Sequence, residues 1–279
     1  MRFGKIQYLN LVPFDVFLKS YPLHSRFKLA AFARKSYPAK LNQSFFFRRI
    51  DAGFISTIAG YKSHQKRKAT CAGIIAKGAV WSVLAIDVES SPKPPLDSST
   101  KVARAAISTK ASVKTLASSP HSPKIPRKDY QSDTSNILCE VLGLRGSVLI
   151  GDRALQYRFS GGEAIDMGQQ WWDRYRLPFV FGRLCYNNHA ALYAKLAKAF
   201  TRRRVKIPYY ILQARALESK IPRNYIKEYL THIHYSIGVK ERLGLDRFYR
   251  AVRLCGLKPP KRIYPKATTN THHTNRTHA

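Results

Sequence analysis

The chain has 279 residues, 44% of them hydrophobic and 12% aromatic, with 49 Lys and Arg against 16 Asp and Glu and a formal charge of +33. Such a length holds one large domain or two small lobes, and the apolar content excludes global disorder. No apolar run approaches the ~20 residues of a membrane-spanning helix; Lys5, Asp15 and Lys19 interrupt any signal-like segment, so a cytoplasmic protein with no membrane partner is expected.

Ile6, Tyr8 and Leu9 read as a short buried strand that begins at the second residue and stops at Asn10, since Pro13 forbids its continuation. Ser36 and Pro38 then start a helix with Leu41, Phe45 and Ile50 along its apolar stripe. Asp51–Ile58, Ala72–Ala76 and Ala79–Ile86 read as buried strands, the first closing on Ser56 and Thr57. Residues 88–131 are rich in Ser, Pro and Lys and predict a flexible basic insert, with a weak strand over Val102–Ile107.

Ser132–Gly143 predicts a helix, with hydroxyl and acidic residues at its start and a glycine stop. Val148–Ile150 is a strand ending in Gly151-Asp152, and Leu177–Phe181 begins another. Asn187 or Asn188 is expected to cap a helix bearing Leu192, Leu196 and Phe200. A second helix from Pro222 carries Ile226, Tyr229, Leu230, Ile233 and Ile237, and a third starts at Gly244. The tail over 258–279 is basic and predicted to be disordered. Strands alternating with helices predict an α/β fold with a mainly parallel sheet.

Chemistry-bearing motifs are sparse. Cys71, Cys139, Cys185 and Cys255 form no CxxC pair. The histidines show no helical ligand pair, so no metal is expected. There is no GxSxG elbow, phosphate-binding loop or GxGxxG. The positive charge raises nucleic-acid binding. Its clusters, Lys66-Arg-Lys68 and Arg202-Arg-Arg204, are short and lack any helix-turn-helix or aromatic strand, so no specific nucleic acid is expected.

Polar residues at strand ends and helix starts remain: Asn10, Ser56, Ser82, Thr134, Ser135 and Asp152. Ligands of open α/β sheets collect at the carboxyl ends of strands, and helix N-termini favour anions. Each residue also has a structural reading. Asn10 is equally a turn former, Thr134 and Ser135 are equally helix caps, Ser82 a core hydroxyl and Asp152 a turn residue. Unaided, these residues support an α/β protein that binds a small anion.

A more specific likeness is carried by Gly4–Pro13, Arg49-Ile-Asp-Ala-Gly-Phe-Ile-Ser56, Trp81-Ser-Val-Leu84, Ser132-Asp-Thr-Ser135, Val148–Leu155, Asp166-Met-Gly168 with Trp171, Leu177–Phe181, Tyr229–Gly238 and Gly244-Leu-Asp-Arg-Phe248. In order and spacing these resemble the chorismate dehydratases of the futalosine route to menaquinone, most closely the epsilonproteobacterial members. The resemblance implies a two-lobed type II periplasmic-binding-protein-like fold with a cleft between the lobes. Lobe one would be 1–86 with 184–257 and lobe two 87–183, with crossovers near Leu84–Val88 and Phe179–Leu184.

It also implies dehydration of chorismate to 3-[(1-carboxyvinyl)oxy]benzoate without a cofactor. Chorismate would be the small-molecule partner. Asn10 would be the catalytic position, and Ser56, Ser82, Thr134, Ser135 and Asp152 would bind substrate. The alternatives are a non-catalytic solute binder of the same fold and the related enzyme acting on cyclic dehypoxanthinylfutalosine. The Gly-Lys-Ile-x-Tyr-Leu-Asn pattern from Gly4 favours the dehydratase.

Overall fold

Four buried residues, Phe3–Ile6, make the first strand, β1. It ends sooner than the hydrophobic pattern suggests, because Leu9–Leu11 wind into a single 3₁₀ turn that feeds helix α1, Val12–Ser20. Pro13 sits in the first turn of α1, where its missing N–H costs nothing. The computed structural model describes residues 2–33, 35–65, 68–86 and 128–258. The strand expected over Val102–Ile107, nearly all of the 88–131 insert and nearly all of the 258–279 tail lie outside the described residues.

Helix α2 spans Ser25–Ala33, strand β2 Lys35–Ser36 and helix α3 Pro38–Phe46. Leu41, Phe45 and Ile50 are buried as their spacing implied, although Ile50 lies beyond the helix end. Strand β3 covers Ala52–Ser56 and gives way at once to helix α4, Thr57–Gln65, so Thr57 and Ile58 are helical rather than extended. Strand β4 runs Ala69–Ala76 and β5 Val83–Ile86; the strand expected over Ala79–Ile86 exists only in its second half.

Helix α5, Asp133–Leu142, has Ser132 as its N-cap and Gly143 in the left-handed conformation at its end. There follow β6 Ser147–Ile150, α6 Gly151–Phe159, β7 Ile165–Asp166, α7 Met167–Tyr175 and β8 Phe179–Tyr186. Helix α8, Ala190–Arg202, is preceded by His189, not by a capping asparagine. Asn187 and Asn188 are engaged elsewhere, donating to the Phe45 and Ile50 carbonyls and to Asp51. The closing elements are α9 Tyr209–Ser219, α10 Arg223–Thr231, β9 Ile233–Ser236 and α11 Val239–Leu254. Ile233 and Ile237 therefore leave the helix expected from Pro222. The last helix begins ahead of Gly244, where Glu241 accepts from the Gly238 N–H.

Two sheets result. The larger has strand order β2-β1-β3-β8-β4-β9 and the smaller β6-β5-β7. Among the described residues, only β1 with β2 and β1 with β3 pair in parallel; β8 is antiparallel to both β3 and β4, and the small sheet is antiparallel throughout. The α/β class holds, while the mainly parallel sheet does not. The chain leaves the large sheet after β4 and returns as β8, running backwards between two strands already laid down.

Because β5 pairs with β6 and β7, the change of sheet falls between Ala76 and Val83, ahead of the boundary expected at 86/87. The return falls before Phe179, ahead of 183/184. Asp166 ties the two connections. Its carboxylate accepts from the Val80 and Trp81 N–H groups at 3.0 and 2.7 Å, and from Gly168 and Gln169 at 2.9 and 3.0 Å.

The core of the larger body is aromatic: Phe14 meets Phe54 and Phe200 edge-on, each at 5.0 Å between ring centroids. Trp171, Phe179 and Phe248 pack where the returning chain enters. Each fully buried side chain of this size contributes about 1.5–3 kcal/mol relative to exposure. That burial anchors β3 through Phe54 and β8 through Phe179.

Candidate active site

A narrow cleft lies between the two sheets. The larger body contributes Ile6, Tyr8, Asn10, Phe54, Ser56 and Phe181, and the smaller side Ser82, Val83, Ser132, Ser135, Ile150 and Gly151. Three helices begin at its wall: Ser56 directly precedes α4, Ser132 caps α5, and Gly151 is the first residue of α6. The orphan N–H groups and dipoles of such ends favour negative charge.

Asn10 lies in the 3₁₀ turn, with its backbone carbonyl held by the Tyr235 hydroxyl at 2.6 Å. Its Oδ1 is buried with no partner among the described residues. A buried orphan acceptor inside a cleft is costly unless a ligand satisfies it.

Three of the four cleft serines accept a hydrogen bond from a neighbouring side chain. Ser56 Oγ accepts from Asn42 Nδ2 at 2.7 Å, Ser82 Oγ from the Tyr229 hydroxyl at 3.0 Å, and Ser135 Oγ from the Ser132 hydroxyl at 2.9 Å. For Ser56 the neighbour is an amide nitrogen that can only donate, which leaves the Ser56 proton for something in front of it. None of the lining residues carries a charged side chain. Tyr8 is the titratable exception, and burial raises its phenol above the ordinary tyrosine range. Tyr8 donates to Gln131 Oε1, and its ring rests where a side chain at Gly151 would stand, 2.8 Å from the Cβ position. Gly151 has φ +63°, so both its backbone and the ring above it exclude a larger residue.

Two of the residues singled out from sequence are not brought to the cleft. Thr134 Oγ1 accepts from the Ile58 N–H at 3.0 Å, so it satisfies the first turn of α4 rather than facing a ligand. Asp152 Oδ1 accepts from the Leu9 N–H at 3.0 Å and faces a second recess on the far side of Tyr8, with Arg153, Arg215 and Glu218. Burial raises the Asp152 carboxyl to about 6, against the lowering effects of that N–H and of Arg215. Asn10, Ser56, Ser82 and Ser135 do converge.

Sequence reasoning passed over Tyr8, Asn42, Ser132 and Gly151. Ser132 carried a signal, as the hydroxyl preceding a helical run. Asn42 carried none, because its role depends on α3 packing against β3.

A family model described as menaquinone biosynthesis matches residues 1–253. A chorismate dehydratase from Campylobacter jejuni subsp. jejuni serotype O:23/36 (strain 81-176) is 36% identical over 262 residues, covering 92% of this chain and 100% of that protein. Among solved structures, a protein from Archaeoglobus fulgidus matches with a TM-score of 0.56 at 12% identity, covering 91% of this chain and 97% of the other. The ligand-binding component of an ABC-type import system from Staphylococcus aureus matches at a TM-score of 0.45 and 10% identity, covering 94% and 93%.

Proposed function

The chain belongs to the menaquinone-biosynthesis family, and from that premise we propose that it is a chorismate dehydratase, a hydro-lyase that releases water from chorismate to leave 3-[(1-carboxyvinyl)oxy]benzoate. The proton on the ring carbon bearing the enolpyruvyl ether is removed. Its bonding pair becomes the third ring double bond, and the neighbouring hydroxyl departs. Proton and hydroxide together are water, so no electron acceptor enters the balance, and aromatisation supplies the driving force.

The observation that carries this reading is the uncharged cleft with its ring of hydroxyls and its unsatisfied amide. The resemblance implies that the substrate's own enolpyruvyl carboxylate acts as base. An arginine beside that carboxylate would weaken it, since a neighbouring cation lowers a carboxyl pKa by about 1–3 units. Hydroxyls and helix N-termini hold a carboxylate in place at a smaller loss of basicity. In this reading Ser56, Ser82 and Ser135 hold substrate carboxylates. Asn10 orients a carboxylate or the leaving hydroxyl, donating through Nδ2 or accepting through Oδ1. Thr134 and Asp152 act one layer out, by fixing α4 and the 3₁₀ turn. Catalysis is then positioning and electrostatic stabilisation within the cleft. The reading carries with it the cytoplasmic location expected from the sequence.

The test is incubation of the folded protein with chorismate while the aromatic product is followed by absorbance and chromatography. Product formation at catalytic turnover is expected. Chorismate binding without product would replace the enzyme with a solute binder.

A further inference from the structure

Ser56 closes β3 and faces the cleft, and Asn42 on α3 holds it with both ends of its amide. The Ser56 N–H donates to Asn42 Oδ1 at 3.1 Å, and Asn42 Nδ2 donates to Ser56 Oγ at 2.7 Å. Asn42 is only 2% exposed. The backbone contact decides which way the amide points, because an N–H donates to the oxygen and not to the NH₂ group. That leaves Nδ2 at the hydroxyl, and an amide nitrogen can only donate. Ser56 Oγ is therefore an acceptor on its protein side, and its own proton turns away. No described residue takes that proton.

We propose that Asn42 is a positioning residue that fixes the Ser56 hydroxyl as a hydrogen-bond donor toward a substrate carboxylate. An unrestrained serine turns its lone pairs or its proton toward a ligand with similar ease. Lone pairs facing a carboxylate repel it. By occupying one lone pair from behind, Asn42 removes the unproductive orientation, at the mouth of the α4 dipole. The proposal rests on the dehydratase reading, and Asn42 itself touches no substrate. Of the three serine supports, this one has a polarity set by chemistry, since Tyr229 and Ser132 present hydroxyls that can either donate or accept.

The experiment is the pH profile of Asn42→Asp. When protonated, the new carboxyl accepts from the Ser56 N–H and donates its O–H to Ser56 Oγ, reproducing the asparagine pattern. When ionised, both its oxygens accept, and one draws the Ser56 proton back from the cleft. Burial places this transition above the usual carboxylate range. We expect kcat/KM of the variant to fall roughly ten- to a hundredfold between about pH 5 and about pH 8, the weight of one hydrogen bond to a charged group. The unmodified protein should lack that step.

The ionised carboxylate of the Asn42→Asp variant also repels an anionic substrate directly, so the same profile is measured in a Ser56→Ala background. There the step should shrink to about threefold or less; a step of undiminished size means simple repulsion and overturns the proposal. A flat Asn42→Asp profile overturns it as well. Failure of the unmodified protein to turn over chorismate overturns the dehydratase reading and this role with it. Unmodified turnover beside a flat variant profile removes Asn42 alone. If Asn42→Asp does not fold, Asn42→Ala, Ser56→Ala and the double variant decide. A double variant no slower than the slower single supports the proposal, and losses that multiply overturn it.

Discussion

Two recesses meet at Tyr8, and they are built on opposite principles. On one side the cleft between the sheets is lined by apolar side chains, hydroxyls and one amide, with no charged group. On the other, Asp152, Arg153, Arg215 and Glu218 crowd a polar recess. The charges of the second recess are largely spoken for: Arg215 pairs with Glu218 at 2.5 Å and lies 3.7 Å from Asp15, and Arg153 pairs with Asp129 at 2.5 Å. Among the described residues, the cations of a chain of net charge +33 lie outside the cleft lining. One recess is organised by ion pairs, and the other by neutral hydrogen-bonding groups.

Variants on the two sides should therefore move different observables. The largest effect is expected from Asn10→Ala, with kcat lowered about a hundredfold or more and an unchanged circular dichroism spectrum; a loss under about threefold would remove Asn10 from the mechanism and dissolve the contrast. Next is Tyr229→Phe, which deletes the hydroxyl behind Ser82. We expect kcat/KM to fall about tenfold, the loss of one hydrogen bond's control over a carboxylate ligand. An unchanged steady-state rate would make Ser82 a core hydroxyl after all.

On the border, Tyr8→Phe breaks the bond to Gln131, a residue of the charged recess. KM for chorismate is expected to rise by about two- to tenfold, with kcat nearly constant. A fall in kcat alone would instead place the phenol in the chemistry.

The smallest effect belongs to the charged recess. The Asp152 carboxyl titrates at about 6 in the folded protein, above its ordinary value of 3.8. Its contribution to stability is thus fully present below about pH 4 and is lost as pH rises through about 6. Asp152→Asn keeps an acceptor for the Leu9 N–H but cannot ionise. Its Tm should match the parent protein at pH 4 and exceed it at pH 8, by on the order of 2–4 °C. Equal melting curves at pH 8 would show that the carboxylate is not strained there.

The parts of this site that could be read from sequence are those with local causes. Helix α5 announced itself by the hydroxyls before it and the glycine after it, and β3 and β6 by short apolar runs. Ser56, Ser82 and Ser135 were found because strand ends and helix starts gather at the ligand side of an α/β sheet. Side-chain direction at those junctions was not readable. Thr134 and Asp152 sit beside Ser135 and Gly151 in the chain, yet both turn to satisfy N–H groups of distant elements. The antiparallel return of β8 is likewise a matter of pairing across the fold. Helices α1 and α9 carry no side-chain N-cap hydrogen bond, so neither start was marked in the sequence.

Asp166 gives the two connections between the sheets a common anchor. One carboxylate grips the outgoing segment at Val80 and Trp81 and the incoming helix start at Gly168 and Gln169. Trp81 is held there at φ +61°, a left-handed conformation costly for a bulky residue, and Ser82 follows directly. The two strips of chain therefore behave as one clasp rather than two independent hinges. The place of Ser82 at the cleft is therefore set by a single carboxylate shared between the strips, and not by each connection separately.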